Sequence, residues 1–307
     1  MSAVKYVEMS LTDIRDLDKD KAVFFLSVGP IEVHGPHLPV GTDLVVAEEV
    51  RKRSQEELIR RHPGLLAVDL PPLYLGSNAL PVPGSISVRA SALESVLFDY
   101  AKGLASQGFR YLVVLDNHGG PRHGLAIAAA AEAVWRKSRF YVIHPFSEIY
   151  KRMIRDDPEL LGMTGLAPGA CGDDRDNHAG TNETSLMLAI RRDGSLLPHR
   201  DIPPSLPPDL RGLPGLLDRL GALLAALGAR ETGPDIRHLA NTLAWVGQRP
   251  MTPYMGAPDK ASPEAGEAML KAHVEITVRL VERALSGEVV LPEPLLGRLA
   301  FLRRLPE

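Results

Sequence analysis

Residues 28–43 read VGPIEVHGPHLPVGTD and gather Glu32, His34, His37 and Asp43 directly behind an apolar segment. Glu32 and His34 stand two apart, so on an extended chain their side chains point the same way. Asp43, just past a turn, supplies another oxygen. Carboxylate with imidazole is the ligand set of Zn, Mn or Fe. Taken singly, each residue fits a solvated loop, and Asp43 with Thr42 reads equally well as the N-cap of a following helix. The run as a whole is different, because Gly29, Pro30, Gly35, Pro36, Pro39 and Gly41 constrain the backbone to present its polar groups together.

Two further groups of polar residues follow. His118 stands in an Asp116-Asn117-His118-Gly119-Gly120 run after an apolar segment; the glycine pair lacks the rest of G-x-G-x-x-G, so a nucleotide loop is set aside. Asp173, Asp174, Asp176, His178 and Glu183 form the next cluster, of which the acidic run reads as solvated loop. Gly180 and a helix starting near residue 184 can turn His178 and Glu183 inward, although Glu183 also suits a helix N-terminus through the dipole. His178 is of the residue type that most often serves general acid–base chemistry. His37 reads as a support for a ligand.

The elements that must position these residues alternate strand and helix. Strands are expected at 4–9, 22–28, 65–75, 110–115 and 140–144, the second and fourth apolar throughout as in a sheet covered on both faces. Helices are expected at 11–18, 44–61, 92–107, 122–137, 147–161, 216–227 and 263–285, and 236–247 is ambiguous. A β-α-β-α order implies a parallel sheet with its site at the carboxyl ends of the strands, where His118 and the Glu32/His34 pair would both lie. No repeat or low-complexity boundary divides the chain, so it reads as one domain, 1–307, with an insertion or oligomer-contact region at about 195–250.

Composition narrows the partner. The chain has 307 residues with 45% hydrophobic content, enough for a large core. Thirty-five basic against 38 acidic residues leave a net charge of -3, which gives no field for nucleic acid or a membrane surface. A small molecule is the expected partner. One cysteine, Cys171, excludes an internal disulfide framework, and no signal-like or membrane-length apolar run is present, so a cytoplasmic location is expected.

These residues resemble the creatininase family of metal-dependent amidohydrolases. Glu32-Val33-His34-Gly35-Pro36-His37-Leu38-Pro39 with Thr42-Asp43 is similar to its E-x-H-G-x-H-L-P…T-D signature, and Pro83-Gly84-Ser85-Ile86-Ser87 to its P-G-T-I-S segment. Gly108-Phe109-Arg110 and His118-Gly119-Gly120 are similar to its G-F-R…N-G-H-G-G strand, residues 178–185 to its H-x-G-x-x-E-T-S element, and residues 256–267 to the stretch before its last helix. The resemblance implies an α/β three-layer sandwich with a mostly parallel central sheet flanked by helices, assembled as a homohexamer. It also implies a pair of divalent metal ions, Zn first and Mn or Fe as alternatives, bridged by Asp43. One ion would take Glu32, Asp43 and His118; the other would take His34 and Asp43. Creatininases proper complete the second site with a carboxylate two residues after the strand histidine, where this chain has Gly120, so Glu183 is the expected substitute.

The implied activity is hydrolysis of a carbon–nitrogen amide bond of a small molecule, cyclic, linear or a formamide, by metal-activated water, with His178 and Glu183 as catalytic candidates. Creatininases proper close a tryptophan-bearing loop over creatinine. Here loop 163–177 has none, and Trp135 and Trp245 lie elsewhere, so creatinine is not the first expected substrate. The alternatives are a peptidase acting at the C-terminal end of a modified peptide and a metal-holding scaffold without catalysis.

Overall fold

Alternation along the strands builds the layers. The computed structural model describes residues 3–155, 157–165, 176–194, 196 and 198–304. Cys171, Asp173, Asp174 and most of loop 163–177 lie outside the described residues. In chain order the elements are β1 (Val4–Lys5), α1 (Leu11–Asp16), β2 (Ala22–Ser27), α2 (Thr42–Arg61), β3 (Leu66–Asp69), α3 (Ala90–Ser106), β4 (Tyr111–Leu115) and α4 (Pro121–Ser138). They continue with β5 (Tyr141–Ile143), α5 (Pro145–Ile154), α6 (Pro158–Thr164), α7 (Thr181–Ile190), α8 (Gly212–Ala226), α9 (Thr232–Val246) and α10 (Pro263–Leu285).

The strands make one five-stranded sheet in the order β1-β3-β2-β4-β5, and every pair is parallel. Successive β2 residues point to opposite faces: Val23 and Phe25 join one core with residues of α2, α5, α7 and α10, while Phe24 and Leu26 join the other with residues of α3 and α4. This is the expected three-layer α/β sandwich. Since β2 is paired on both sides and buried on both faces, polar side chains gather only at its ends.

β2 and β4 are neighbours, in register from Val23 with Tyr111 to Ser27 with Leu115. The chain leaves β2 toward β3 and leaves β4 toward β5, in opposite directions across the sheet. The turns after the two strands therefore diverge and open a crevice, the usual place for a ligand in this architecture. Residues 28–43 and 116–120 flank it.

Where elements differ from expectation, proline usually explains it. The strand expected at 65–75, with the interruption that Pro71 and Pro72 impose, ends as a ladder at Asp69, and beyond the prolines Leu73 bridges to Val28. The expected helix at 147–161 is two, with Pro158 opening α6 and the Asp157 carboxylate accepting hydrogen bonds from the Glu159 and Leu160 N–H groups. The ambiguous stretch 236–247 is most of α9. Helix α2 begins behind Gly41, with no side-chain cap, so neither Thr42 nor Asp43 is spent as its N-cap.

Helix α10 holds α7 against the sheet at one point of close approach. A Cβ on Gly266 would lie 1.9 Å from the Ser185 carbonyl oxygen, two residues after Glu183. Gly266→Ala should therefore cost about 1–3 kcal/mol in denaturant unfolding. Gly103→Ala, at an exposed helical position with nothing near, should instead gain up to about 1 kcal/mol. Equal stability of the two variants would contradict the tight α7–α10 contact.

Candidate metal centre

Asp43 is buried in the first turn of α2, and its two oxygens face different histidines. His34 Nε2 is 3.2 Å from Oδ1, and His118 Nδ1 is 3.4 Å from Oδ2. On the His118 side Glu32 Oε2 closes the group at 2.9 Å from Nδ1; on the His34 side Glu183 Oε2 lies 3.6 Å from Nε2. Glu32, Asp43 and His118 can hold a metal ion, as can His34, Asp43 and Glu183; a third such group combines Glu32, His34 and His178. The first two share Asp43.

The backbone hydrogen bonds of the three histidines decide which nitrogen faces the carboxylates. His34 Nδ1 is 2.9 Å from the Glu32 carbonyl oxygen, His118 Nε2 is 3.0 Å from that of Ser77, and His178 Nε2 is 2.8 Å from that of Val33. A carbonyl only accepts, so each of these nitrogens donates. In the neutral ring the opposite nitrogen then carries a lone pair, aimed at carboxylate oxygens. Lone pair against anion is repulsive unless a cation lies between them or the ring takes a second proton. Without a cation the second outcome follows: burial disfavours charge on His34, but Asp43 and Glu183 outweigh it and raise its pKa well above the ordinary value. His118 is raised against burial in the same way by Glu32 and Asp43.

A divalent ion fits the same atoms. Tetrahedral coordination at about 2.1 Å places neighbouring ligand atoms about 3.4 Å apart, and the four contacts above run from 2.9 to 3.6 Å. Glu32 Oε2, His34 Nε2 and both Asp43 oxygens are buried with no hydrogen-bond partner. Leaving such atoms unpaired costs about 1–3 kcal/mol each, more for charged groups.

Neighbours hold this set in place. The Leu80 N–H donates to Glu32 Oε1 at 2.6 Å and leaves Oε2 to face His118. Glu183, inside the first turn of α7 rather than before it, accepts from Asn117 Nδ2 at 3.1 Å and from the Ala179 N–H at 2.6 Å. His37 makes a 2.8 Å hydrogen bond to Thr184 Oγ1, beside Glu183; burial, with His199 and His34 nearby, lowers its pKa to about 4 and keeps the ring neutral. The turn between His34 and His37 uses Gly35 at φ 64°, a left-handed conformation in which a side chain would press on the His37 ring. Gly120 is equally constrained, since a Cβ there would lie 2.3 Å from His118 Nε2. Any side chain at position 120 would thus have to displace the His118 ring, and the carboxylate on the His34 side is that of Glu183 from α7.

Sequence reasoning missed several contributors. Asp116 is buried between His144 Nε2 and His123 Nε2, each 2.8 Å away; burial opposes its charge, but the two rings hold its pKa at about 2. It braces the turn that carries His118. Trp245 lies far along the chain in α9, yet its ring centre is 5.6 Å from that of His178, which in turn lies 4.2 Å from His34. Nothing in the local sequence signals that contact, whereas the polar Asp116 at the end of an apolar strand could have been found.

The family model described as Creatininase, creatinine amidohydrolase, matches residues 7–281. The chain belongs to the creatininase family. Among curated relatives, the mycofactocin precursor peptide peptidase of Mycolicibacterium smegmatis is 30% identical over 59% of this chain and 63% of its own length. The creatinine amidohydrolase of Pseudomonas putida is 28% identical over 56% of this chain and 65% of its own. The chain thus spans less than two thirds of the length of these relatives. A solved structure of creatinine amidohydrolase (creatininase) superposes with a TM-score of 0.63 at 22% identity, covering 93% of this chain and 99% of that one. One described as creatininase Mn gives 0.63 at 23%, covering 92% and 99%. At these identities the structures establish the shared fold.

Folding and metal should be linked. Chelated protein should melt lower than untreated protein and recover when Zn or Mn is added, by about 2.7 kcal/mol at a hundredfold excess over Kd. Asp43→Asn should lose most of that response. Identical melting of metal-loaded and metal-stripped wild type would contradict the centre.

Proposed function

We propose that the protein hydrolyses a carbon–nitrogen amide bond, with Glu32, Asp43 and His118 holding one divalent ion and His34, Asp43 and Glu183 another. The observation that carries this reading is the division of the Asp43 oxygens between two histidine–carboxylate groups, with both oxygens buried and without hydrogen bonds. When bound, such ions polarise a carbonyl and lower the pKa of a water toward neutrality. Zn is the first expectation, with Mn or Fe as alternatives.

The remaining steps belong to the chain's own residues. His178 donates through Nε2 to Val33, so its Nδ1 is free to accept a proton from the attacking water, with Glu183 Oε2 3.9 Å away to stabilise the imidazolium. The same proton then passes to the nitrogen that leaves as the carbon–nitrogen bond breaks. Asn117 and the Ala179 N–H keep Glu183 in place through the cycle, and the buried ring of Trp245 limits rotation of His178. A cytoplasmic location, expected from composition, and a homohexamer, implied by the family resemblance, are part of this reading.

For the substrate, a small amide, lactam or formamide is the primary reading. A second is peptide hydrolysis, favoured by the 30% identity to relatives named peptidases. A panel of N-formyl compounds, lactams and short peptides, assayed with Zn- or Mn-reconstituted protein, separates them. Turnover of either class supports hydrolysis and names the substrate; full metal loading with no turnover of any member would favour a scaffold. His178→Asn should lower kcat by about 10²–10⁴ with metal content unchanged, whereas His118→Ala should lose metal and activity together. An active, fully metallated His118→Ala protein would overturn the assignment.

A further inference from the structure

Helix α8 carries leucines at 213, 216, 220 and 223, and Leu227 follows it, in a 3-4-3-4 spacing. All five are between 43% and 74% exposed. This spacing averages 3.5 residues, the period that keeps an apolar seam facing another helix of the same period. The seam is not the surface that α8 turns to its neighbour α9. That contact runs through Gly221 and Gly233, whose α-carbons approach each other's backbone too closely for a side chain, and through Asp218, 2.9 Å from Arg237. Contacts from Gly221 to Arg237 and from Ala225 to Gly233 make the two helices antiparallel.

The composition of α8 says what covers the seam. Gly215 and Gly221 weaken it as an isolated helix by about 1 kcal/mol each, so packing must hold it. Asp218 and Arg219 are its two charged residues and cancel, whereas a helix that lies on a membrane carries Lys and Arg beside its apolar face. The exposed leucine surface comes to roughly 500 Å² per copy, more than half of the ~800 Å² that each partner buries in a standard interface. A second α8 has the same period by construction.

We propose that the leucine seam of α8 docks on the same seam of a second copy of this chain, so that two α8–α9 hairpins close into a four-helix bundle. The contact involves none of the metal-centre residues and stands apart from the hydrolytic reading.

Sedimentation of the full-length protein tests the proposal beside vesicle flotation and a site-specific cross-link. Leu216→Glu with Leu223→Glu should lower the particle mass at least twofold while far-UV circular dichroism is unchanged. Leu220→Cys, in a Cys171→Ser background, should give a covalent dimer with a short bismaleimide, and this arm decides alone if the glutamate variant fails to fold. An unchanged particle mass in the folded glutamate variant, or no cross-linked dimer, would overturn the proposal. So would a wild type that sediments as a single chain, whether it floats with anionic phospholipid vesicles or binds only a different protein.

Discussion

A carboxylate buried between two histidines is the constraint on which the rest of this molecule depends. Asp43 is 1% exposed, and its two oxygens face the rings of His34 and His118. Removing such a charge from water costs several kcal/mol even after relaxation, so its surroundings must return that energy or the fold would not keep it. Burial pushes the Asp43 pKa upward, yet the two imidazoles hold it low. Much of the architecture serves that compensation. Strands β2 and β4 bring the two histidine-bearing turns side by side, α2 presents Asp43 in its first turn, and α7 brings Glu183 from a distant part of the chain.

Rigidity is the second feature of the arrangement. Each histidine is tied through one ring nitrogen to a backbone carbonyl, which fixes the ring plane and the nitrogen left to face the carboxylates before any ligand arrives. Glu32 and Glu183 are tied by N–H donors in the same way. A centre prepared like this loses little conformational freedom on binding a cation, and it tolerates little change at Gly35 or Gly120. The bare α-carbon of Gly120 is thus a packing requirement of the His118 ring.

Much of this was legible in the sequence, and the limits have physical causes. The buried strands at 22–27 and 111–115 announce themselves by unbroken apolar runs, and Glu32, His34 and Asp43 by polar residues packed into a proline- and glycine-rich turn directly behind one of them. His118 follows from the same logic at the neighbouring strand. The placing of Glu183 inside α7, the brace around Asp116 and the approach of Trp245 to His178 depend on how α5, α7 and α9 pack, and tertiary contacts of that range leave no local pattern. The expected insertion at 195–250 holds the α8–α9 hairpin, whose α9 side lies against the centre while its α8 side is open. Trp245 thus reaches His178 from α9, a contact that no residue near His178 in the sequence announces.

Anomalous X-ray diffraction from crystals of the Zn- or Mn-reconstituted protein, recorded at the absorption edge of the metal, tests the central claim most directly. The account predicts a pair of peaks on either side of Asp43, each about 2.0–2.2 Å from a different one of its oxygens, one beside His118 and Glu32 and the other beside His34 and Glu183. A lone peak held by Glu32, His34 and His178, or peaks away from Asp43 altogether, would contradict it.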